Sequence, residues 1–238
     1  MVAISLIPIR SQIAAKEQEL SDLLVYPADR LASIIGKVGF RCDRCSRCCT
    51  RAFNGHVFLL DCDAVRAKKI DPASVEPAPL PEFCDQNGTF YVSGYALRAR
   101  NDGSGSCWFL EEGRCRIYDR RFSICRVYPY MLHREPDARG RVDWRQIAGL
   151  DEHGEYHIGI PAEECRRIAE LTVDFETACL RQDIAFLRFI EGYFARNRLR
   201  HVRKVYDDGM RLLARGREIR IMVYCYEGLH EHWIRRDG

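Results

Sequence analysis

Cysteine spacing constrains this chain of 238 residues more than any other feature of its sequence. Seven cysteines follow a fixed order, the first four in one tight run: Cys42, Cys45, Cys48, Cys49, Cys107, Cys115 and Cys125. Thiolates two residues apart are held by one loop, so their sulfurs converge on a point with little loss of loop-closure entropy. The spacing therefore predicts a metal-binding site with these seven cysteines as candidate ligands.

The adjacent pair Cys48 and Cys49 distinguishes between kinds of metal centre. Neighbouring Cα atoms lie about 3.8 Å apart, and in regular backbone their side chains diverge. We therefore expect the two thiolates to bind different irons or different centres. Cysteine pairs most easily build a tetrahedral zinc site, whereas a multi-iron cluster takes thiolates on separate metal atoms. The pair favours an iron–sulfur cluster, 4Fe-4S first, and leaves zinc as the alternative.

Disulfide bonds are the other interpretation of these cysteines, and the context argues against them. A chain of 238 residues can bury a full core without covalent cross-links. The apolar start, from Met1 to Ile9, lacks a charged leader and a cleavage site and is too short to span a bilayer. We therefore expect a reduced, cytoplasmic protein without a membrane partner.

Arginine accompanies the cysteines. It outnumbers lysine 32 to 5, although the net charge is only +3. Residues 41–51 and 114–126 together contain nine arginines and only two acids, Asp43 and Asp119. A centre with four thiolates carries a charge of about −2, so arginines such as Arg47 and Arg126 would offset it and raise a cluster's reduction potential. The alternative is an arginine-rich chain with solvated charges.

The remaining pattern predicts an α+β fold, in which a small antiparallel sheet and cysteine-rich loops lie between N-terminal helices and a helical C-terminal third. Helical spacing of apolar residues predicts helices within 10–36, 61–69, 161–190 and 203–215. Strand signals occur at 56–60, 89–97, 127–132, 141–147 and 219–225, with a hairpin over 107–118 and a loop over 71–88. We assign 1–160 to a cysteine-cluster domain and 161–238 to a helical extension that packs on it.

Other candidate ligands are weaker. Cys84, in an irregular acidic segment, is the most credible eighth ligand, because eight thiolates would complete two four-ligand sites. Cys165, Cys179 and Cys225 lie on apolar faces and are expected to be core residues. The histidines show no trusted metal-binding pattern. A basic run over 196–204 allows an RNA or acidic-partner surface, although a solvated helix face is the favoured interpretation.

The cysteines and their neighbours resemble those of a known family. The sequence has Phe40-Arg-Cys-x-x-Cys-x-x-Cys-Cys49, then Cys115-Arg-Ile-Tyr-Asp-Arg-Arg121, then Cys125-Arg-Val-Tyr-Pro129. This order is similar to that of the YkgJ-type CxxCxxCC proteins, a zinc- or iron-chelating family. The resemblance covers residues 40–130 and implies that all seven cysteines are metal ligands. It adds four motif companions, Arg121, Arg126, Tyr128 and Pro129. The candidate cofactor-binding residues are Arg47, Arg121, Arg126 and Tyr128.

Two departures from the family pattern concern the end of the motif. Phe122 follows Arg121 where the family usually has proline, and no Cys-x-Gly triplet follows Cys125, which leaves the eighth ligand unassigned. The resemblance implies activity only in outline. An iron–sulfur protein acting in oxidoreductase chemistry or electron transfer, with an unidentified redox or protein partner, is the first hypothesis. A protein lysine N-methylase-like enzyme with a supporting cluster and a structural zinc module that binds protein or RNA are the alternatives.

Overall fold

The computed structural model describes residues 7–132, 134–136, 142–144, 152–226 and 228–235. The helices in these ranges are α1 (Ile9–Leu24), α2 (Ala28–Val38), α3 (Arg51–Asn54), α4 (Asp61–Ile70), α5 (Ser123–Val127), α6 (Ala162–Asn197) and α7 (Arg203–Ala214). The strands are β1 (Val57–Leu59), β2 (Val75–Pro77), β3 (Phe83–Cys84), β4 (Phe90–Ser93), β5 (Tyr95–Leu97), β6 (Leu110–Glu111), β7 (Arg114–Cys115), β8 (Arg134–Pro136), β9 (Val142–Trp144), β10 (Ile219–Cys225) and β11 (Gly228–Ile234). The fold is α+β, as predicted. Among the helices of these ranges, none combines the length and the apolar character that a membrane span requires.

The chain forms two compact units, each assembled from segments that are distant in sequence. Unit 1 contains the described parts of Met1–Glu17, Phe58–Leu97 and Arg181–Gly238, and unit 2 contains those of Gln18–Val57 and Arg98–Leu180. All seven predicted ligands belong to unit 2. The domain boundary at residues 160 and 161 stays a prediction.

Unit 1 is built on a four-stranded sheet with the order β11-β10-β4-β3. β10 pairs antiparallel with β11 and parallel with β4, so the sheet is mixed. A second sheet has the order β1-β5-β2. Gly94, with a φ of +71°, separates β4 from β5, and a Cβ there would lie 2.8 Å from the Gln182 side chain. The single strand predicted over 89–97 is therefore two strands, and these strands belong to different sheets.

Three local predictions differ from the structure. The predicted loop over 71–88 contains β2 and β3, which form because β5 and β4 supply distant pairing partners. The predicted strand over 127–132 is wrong, because α5 runs to Val127 and no strand follows through Leu132. Of the strand predicted over 141–147, the structure describes Val142–Trp144, which pairs with β8, and the remainder lies outside the described residues.

Unit 2 buries an apolar core between α2 and the first half of α6. Leu23, Leu31, Ile35 and Ala169 are fully buried in it, and Cys165 is only 4% exposed, as expected for a core cysteine. Gly39 follows α2 with a φ of +55°. A Cβ at this position would lie 2.3 Å from the carbonyl oxygen of Ile158, so only glycine fits the turn. The cysteine loop begins directly after it.

Candidate metal centre

Three segments of unit 2 carry the predicted ligands: the loop over 42–49, the β6–β7 hairpin with its approach, and α5. Backbone bonds join the first two. The N–H of Cys107 donates to the carbonyl of Cys49 at 2.7 Å, and the N–H of Arg51 donates to that of Gly105 at 2.8 Å. Within the hairpin, Cys115 pairs with Leu110. These bonds bring the loop and the hairpin side by side.

The cysteine loop has an unusual backbone. Arg44 and Ser46 have φ values of 64° and 66°, a left-handed conformation that costs energy for residues with a side chain. The Asp43 carboxylate accepts the Cys45 N–H at 2.9 Å, and the Asn54 side chain donates to the Cys48 carbonyl at 2.6 Å. These bonds stabilise the loop, which ends in a 3-10 turn over Arg47–Cys49.

The thiols of Cys48 and Cys49 interact with each other. The pKa of Cys49 is lowered to about 7, first by the hydrogen bond that the Cys48 thiol donates to it; burial opposes this effect and the charge of Arg121 adds to it. The same hydrogen bond and burial raise the pKa of Cys48, with smaller contributions from Cys42 and Cys125. Cys49 is therefore the thiol most readily ionised in this pair.

The other thiols also lie in one electrostatic neighbourhood. Burial raises the pKa of Cys107 to about 12, and Cys49 and Cys115 contribute in the same direction. Burial likewise raises the pKa of Cys125, with added contributions from Cys107, Cys49 and Cys115. Burial is also the first cause of the raised pKa of Cys115, and Cys49 and Cys42 raise it further. The raised pKa values keep these groups as neutral thiols, and a bound metal ion would stabilise their thiolate forms.

Two groups of thiols stand out within this neighbourhood. Cys49 raises the pKa values of Cys107, Cys115 and Cys125. Cys115 also raises the pKa of Cys107, and both of these thiols raise the pKa of Cys125. Burial is the first cause of the raised pKa of Tyr128. Cys48 and the exposed Cys45 raise this pKa further. The two groups are also linked. The thiols of Cys48 and Cys49 share a hydrogen bond, and smaller electrostatic contributions run from Cys42 to Cys115 and from Cys125 to Cys48. Among the described residues, no three His, Cys, Asp or Glu side chains are arranged to hold a single metal ion.

The three candidate arginines have different positions. Arg121 lies near the thiols, because its charge acts on Cys49, Cys115 and Cys125. Its Nε donates to the Tyr118 carbonyl at 3.0 Å, and its guanidinium lies 4.0 Å from the centre of the Tyr118 ring. Arg47 instead donates to the Glu152 carbonyl at 2.6 Å, and Arg126 contacts the Ser123 hydroxyl at 3.5 Å.

An aromatic cluster borders the cysteine loop and contains a residue that the sequence analysis missed. The His153 ring lies 4.6 Å from that of Phe53, 5.3 Å from that of Tyr128 and 6.0 Å from that of Phe40, centre to centre. His153 is 7% exposed, and neither of its buried ring nitrogens has a hydrogen-bond partner among the described residues. The buried Tyr128 hydroxyl likewise has no hydrogen-bond partner among the described residues. Burial, followed by the charge of Arg47, lowers the pKa of His153.

The weaker cysteine candidates lie elsewhere. Cys84 belongs to unit 1, is fully buried in β3 and directs its thiol to the Asp85 carbonyl at 3.6 Å. Cys225 is 4% exposed in β10, where burial and then Asp61 raise its pKa to about 12. Both therefore occupy the interior of unit 1, whereas the seven predicted ligands belong to unit 2.

Comparison with known proteins gave one match. A family model named CxxCxxCC and described as a "putative zinc- or iron-chelating domain" matches residues 41–166, more than half of the chain. The matched range contains the seven predicted cysteines and His153. Neither the comparison with curated proteins nor that with solved structures produced a match.

Proposed function

Since this chain belongs to the CxxCxxCC family of zinc- or iron-chelating domains, we propose that it binds an iron–sulfur cluster through the cysteines of unit 2 and acts in redox chemistry or electron transfer. The observation that carries this proposal is the convergence of two cysteine-bearing segments, in which the N–H of Cys107 donates to the carbonyl of Cys49 at 2.7 Å. Metal chelation is the family property, and the kind of metal is our inference.

The adjacent cysteines support iron–sulfur over zinc. A tetrahedral zinc site is most easily built from pairs of cysteines two residues apart. A multi-iron cluster binds each thiolate through a different metal atom, which suits two thiolates from neighbouring residues. Cys48 and Cys49 are such neighbours.

The surrounding residues suit a redox centre. Bound there, an iron–sulfur cluster would accept and release single electrons. The guanidinium of Arg121 would offset part of the thiolate charge, and stacking on Tyr118 holds it in place. The rings of Phe40 and Tyr128, 6.1 Å apart, would exclude water from the side of the loop that they border. The arginine charge raises the reduction potential, whereas exclusion of water opposes it, because burial disfavours the more negative reduced state.

The test is anaerobic purification of the full chain, followed by an absorption spectrum and counts of iron, zinc and acid-labile sulfide. We expect visible absorption that bleaches on reduction, with iron and sulfide in equal amounts. Cys125→Ser should lose metal, whereas the buried Cys225→Ser in unit 1 should retain the wild-type content. A colourless protein with zinc alone would support the structural zinc module instead. Equal iron in both variants would remove Cys125 from the ligand set.

A further inference from the structure

A concentration of positive charge lies in unit 1, outside the candidate metal centre. The basic run over 196–204 spans the connection between α6 and α7 rather than one helix face, because α6 ends at Asn197 and α7 begins at Arg203. The sequence has no acid between Glu191 and Asp207. Within this interval lie five exposed cations: Arg196, Arg198, Arg200, Arg203 and Lys204.

The acids that flank this run are already engaged in ion pairs. Glu191 pairs with Arg10 at 2.6 Å, and Asp207 pairs with Arg203 at 2.9 Å. Asp208 pairs with Arg211. Within the part of the chain that the structure describes, four cations of the run therefore have no acidic partner, namely Arg196, Arg198, Arg200 and Lys204.

Hydrogen bonds fix the backbone that carries these charges. The Gln86 side-chain amide donates to the Arg198 carbonyl at 3.1 Å and accepts the Arg200 N–H at 2.9 Å. The Val202 N–H donates to the Cys84 carbonyl at 2.9 Å. Leu199 packs against the core of unit 1, whereas the arginines on either side of it are exposed. The connection therefore presents its cations to solvent from a fixed backbone.

The other two cations lie at the helix ends that meet this connection. The Arg196 guanidinium lies along α6, because a Cβ at Gly192 would be 3.1 Å from its Nη1 atom. Lys204 lies in the first turn of α7, which contains no acid. A positive charge in the first turn opposes the helix dipole and is unfavourable for the helix. A bound anion would offset this cost, whereas solvation of the charge leaves it in place.

The composition of the surface indicates the kind of partner. Across 192–206, a range that the structure describes throughout, every large apolar side chain is at least partly buried. A protein partner usually contacts an apolar centre, and a membrane takes up exposed apolar groups, so both fit this surface poorly. A nucleic acid backbone is bound by cations alone. Arginine, which supplies three of the four free cations, donates paired N–H bonds to phosphate oxygens.

We propose that Arg196, Arg198, Arg200 and Lys204 form a binding surface for the phosphate backbone of single-stranded nucleic acid. The charges lie at two helix ends and on the connection between them, so no continuous helix or strand carries them into a duplex groove. The surface contacts phosphate rather than base or sugar, so RNA and DNA should bind alike. This inference is independent of the metal that unit 2 binds.

The test measures binding of the full chain to fluorescein-labelled 20-mers of uridylate and of thymidylate by fluorescence anisotropy. Four phosphate contacts predict that a rise in salt from 50 to 200 mM weakens binding about 50-fold. The double variant Arg198→Gln with Arg200→Gln leaves two contacts, so the same rise should weaken its binding only about sevenfold. At 50 mM salt this variant should bind on the order of tenfold more weakly than wild type, or weaker still.

The matched control removes the same net charge from arginines that are ion-paired. Arg188 in α6 pairs with Glu17, and Arg211 in α7 pairs with Asp208. The double variant Arg188→Gln with Arg211→Gln should keep the wild-type Kd and the wild-type salt dependence. Circular dichroism and metal content should be unchanged in both double variants, which shows that each is folded.

Other results would overturn the proposal. Equal weakening in the two double variants would assign binding to net charge rather than to the connection between α6 and α7. A wild-type chain that binds neither 20-mer at 50 mM salt would exclude a nucleic acid surface. Tighter binding of poly-glutamate or of phosphatidylserine vesicles than of the 20-mers would assign the surface to an acidic protein or to a membrane. Because metal content is measured separately, each of these results leaves the proposed function intact.

Discussion

The backbone N–H of Cys107 donates to the carbonyl oxygen of Cys49 at 2.7 Å. Beside this bond, Thr50 and Ser106 form an antiparallel bridge. Backbone hydrogen bonds therefore join two segments that carry predicted ligands. We expect this part of the site to be organised by the fold, in contrast to small zinc domains that are unfolded until metal binds.

The first prediction concerns metal removal. Because the fold holds the site together, the metal-free protein should keep its far-UV circular dichroism. It should nevertheless lose stability, because a ligand that binds only the native state stabilises it by about 3–4 kcal/mol at 100 to 1,000 times its Kd. Urea unfolding of the loaded and the chelated protein measures the difference. A chelated protein with the spectrum of an unfolded chain would contradict the preformed site.

The second prediction concerns charge near the thiols. Arg121→Gln should lower the midpoint reduction potential, because the guanidinium acts on Cys49, Cys115 and Cys125 and favours the more negative reduced state. We expect a change on the order of 30–60 mV, about three- to tenfold in the equilibrium constant of a one-electron couple. Protein-film voltammetry measures it.

The matched control for this prediction is Arg126→Gln. Arg126 contacts Ser123 at 3.5 Å, whereas the arginine that acts on the neighbouring Cys125 thiol is Arg121. Replacement of Arg126 should therefore change the potential less than that of Arg121. Equal shifts in the two variants would mean that the net charge of the chain, rather than the position of Arg121, sets the potential.

The third prediction separates the adjacent cysteines. If Cys48 and Cys49 bind separate centres, Cys49→Ser should remove one of them, because Cys49 influences the thiols of Cys107, Cys115 and Cys125. About half of the iron and sulfide should remain, held by the loop. Cys165→Ser, in the core of unit 2, is the control and should retain all of it. Complete loss of metal from Cys49→Ser would indicate one cooperative cluster.

The fourth prediction concerns pH and a carboxyl group in unit 1. Burial raises the pKa of Glu82 from its ordinary value of 4.5 to about 8, although the carboxylate accepts the Ser93 N–H at 3.1 Å. The folded state therefore binds more protons than the unfolded state between these two pKa values. The contribution of Glu82 to stability should be greatest below about pH 4.5, and it should be lost as the pH rises to about 8.

Glu82→Gln should remove this dependence. Because the residue keeps part of its surface accessible, we expect a gain of about 1–3 kcal/mol at pH 9 rather than the value for a fully buried group. Urea unfolding at pH 5, 7 and 9 gives the comparison, and the exposed Glu218→Gln is the control. A Glu82→Gln variant that is less stable than wild type at pH 9 would show that the carboxylate is required in its charged form.

The sequence allowed prediction of the elements whose signals are local. The apolar stripes that define α2 and α6, and the cysteine spacing of the loop, depend on residues within a few positions of each other. The strands β2 and β3 were missed because their hydrogen-bond partners lie in β5 and β4, and a proline-rich segment has no local signal for such pairing. The parallel pairing of β10 with β4, which are distant in sequence, was missed for the same reason.

The site shows the same limit. The seven cysteines can be recognised from their fixed order. The sequence also indicated Arg47, Arg121 and Arg126, but it could not show which of them reaches the thiols, because the direction of each side chain decides that. Arg121 does so, whereas Arg47 binds the Glu152 carbonyl. His153 has no motif around it. Only the bridge between Arg41 and Glu155 reveals its position, and the glycine that follows it is the one local signal.

The bond from Arg47 to Glu152 also bears on how the protein is made. The two residues are 105 positions apart in the chain. At about 5–20 residues per second, a ribosome takes about 5–20 s to reach the second after the first. During that interval the loop thiols exist without the segment that carries His153. Newly made protein therefore completes this part of its site only after Glu152 has been synthesised.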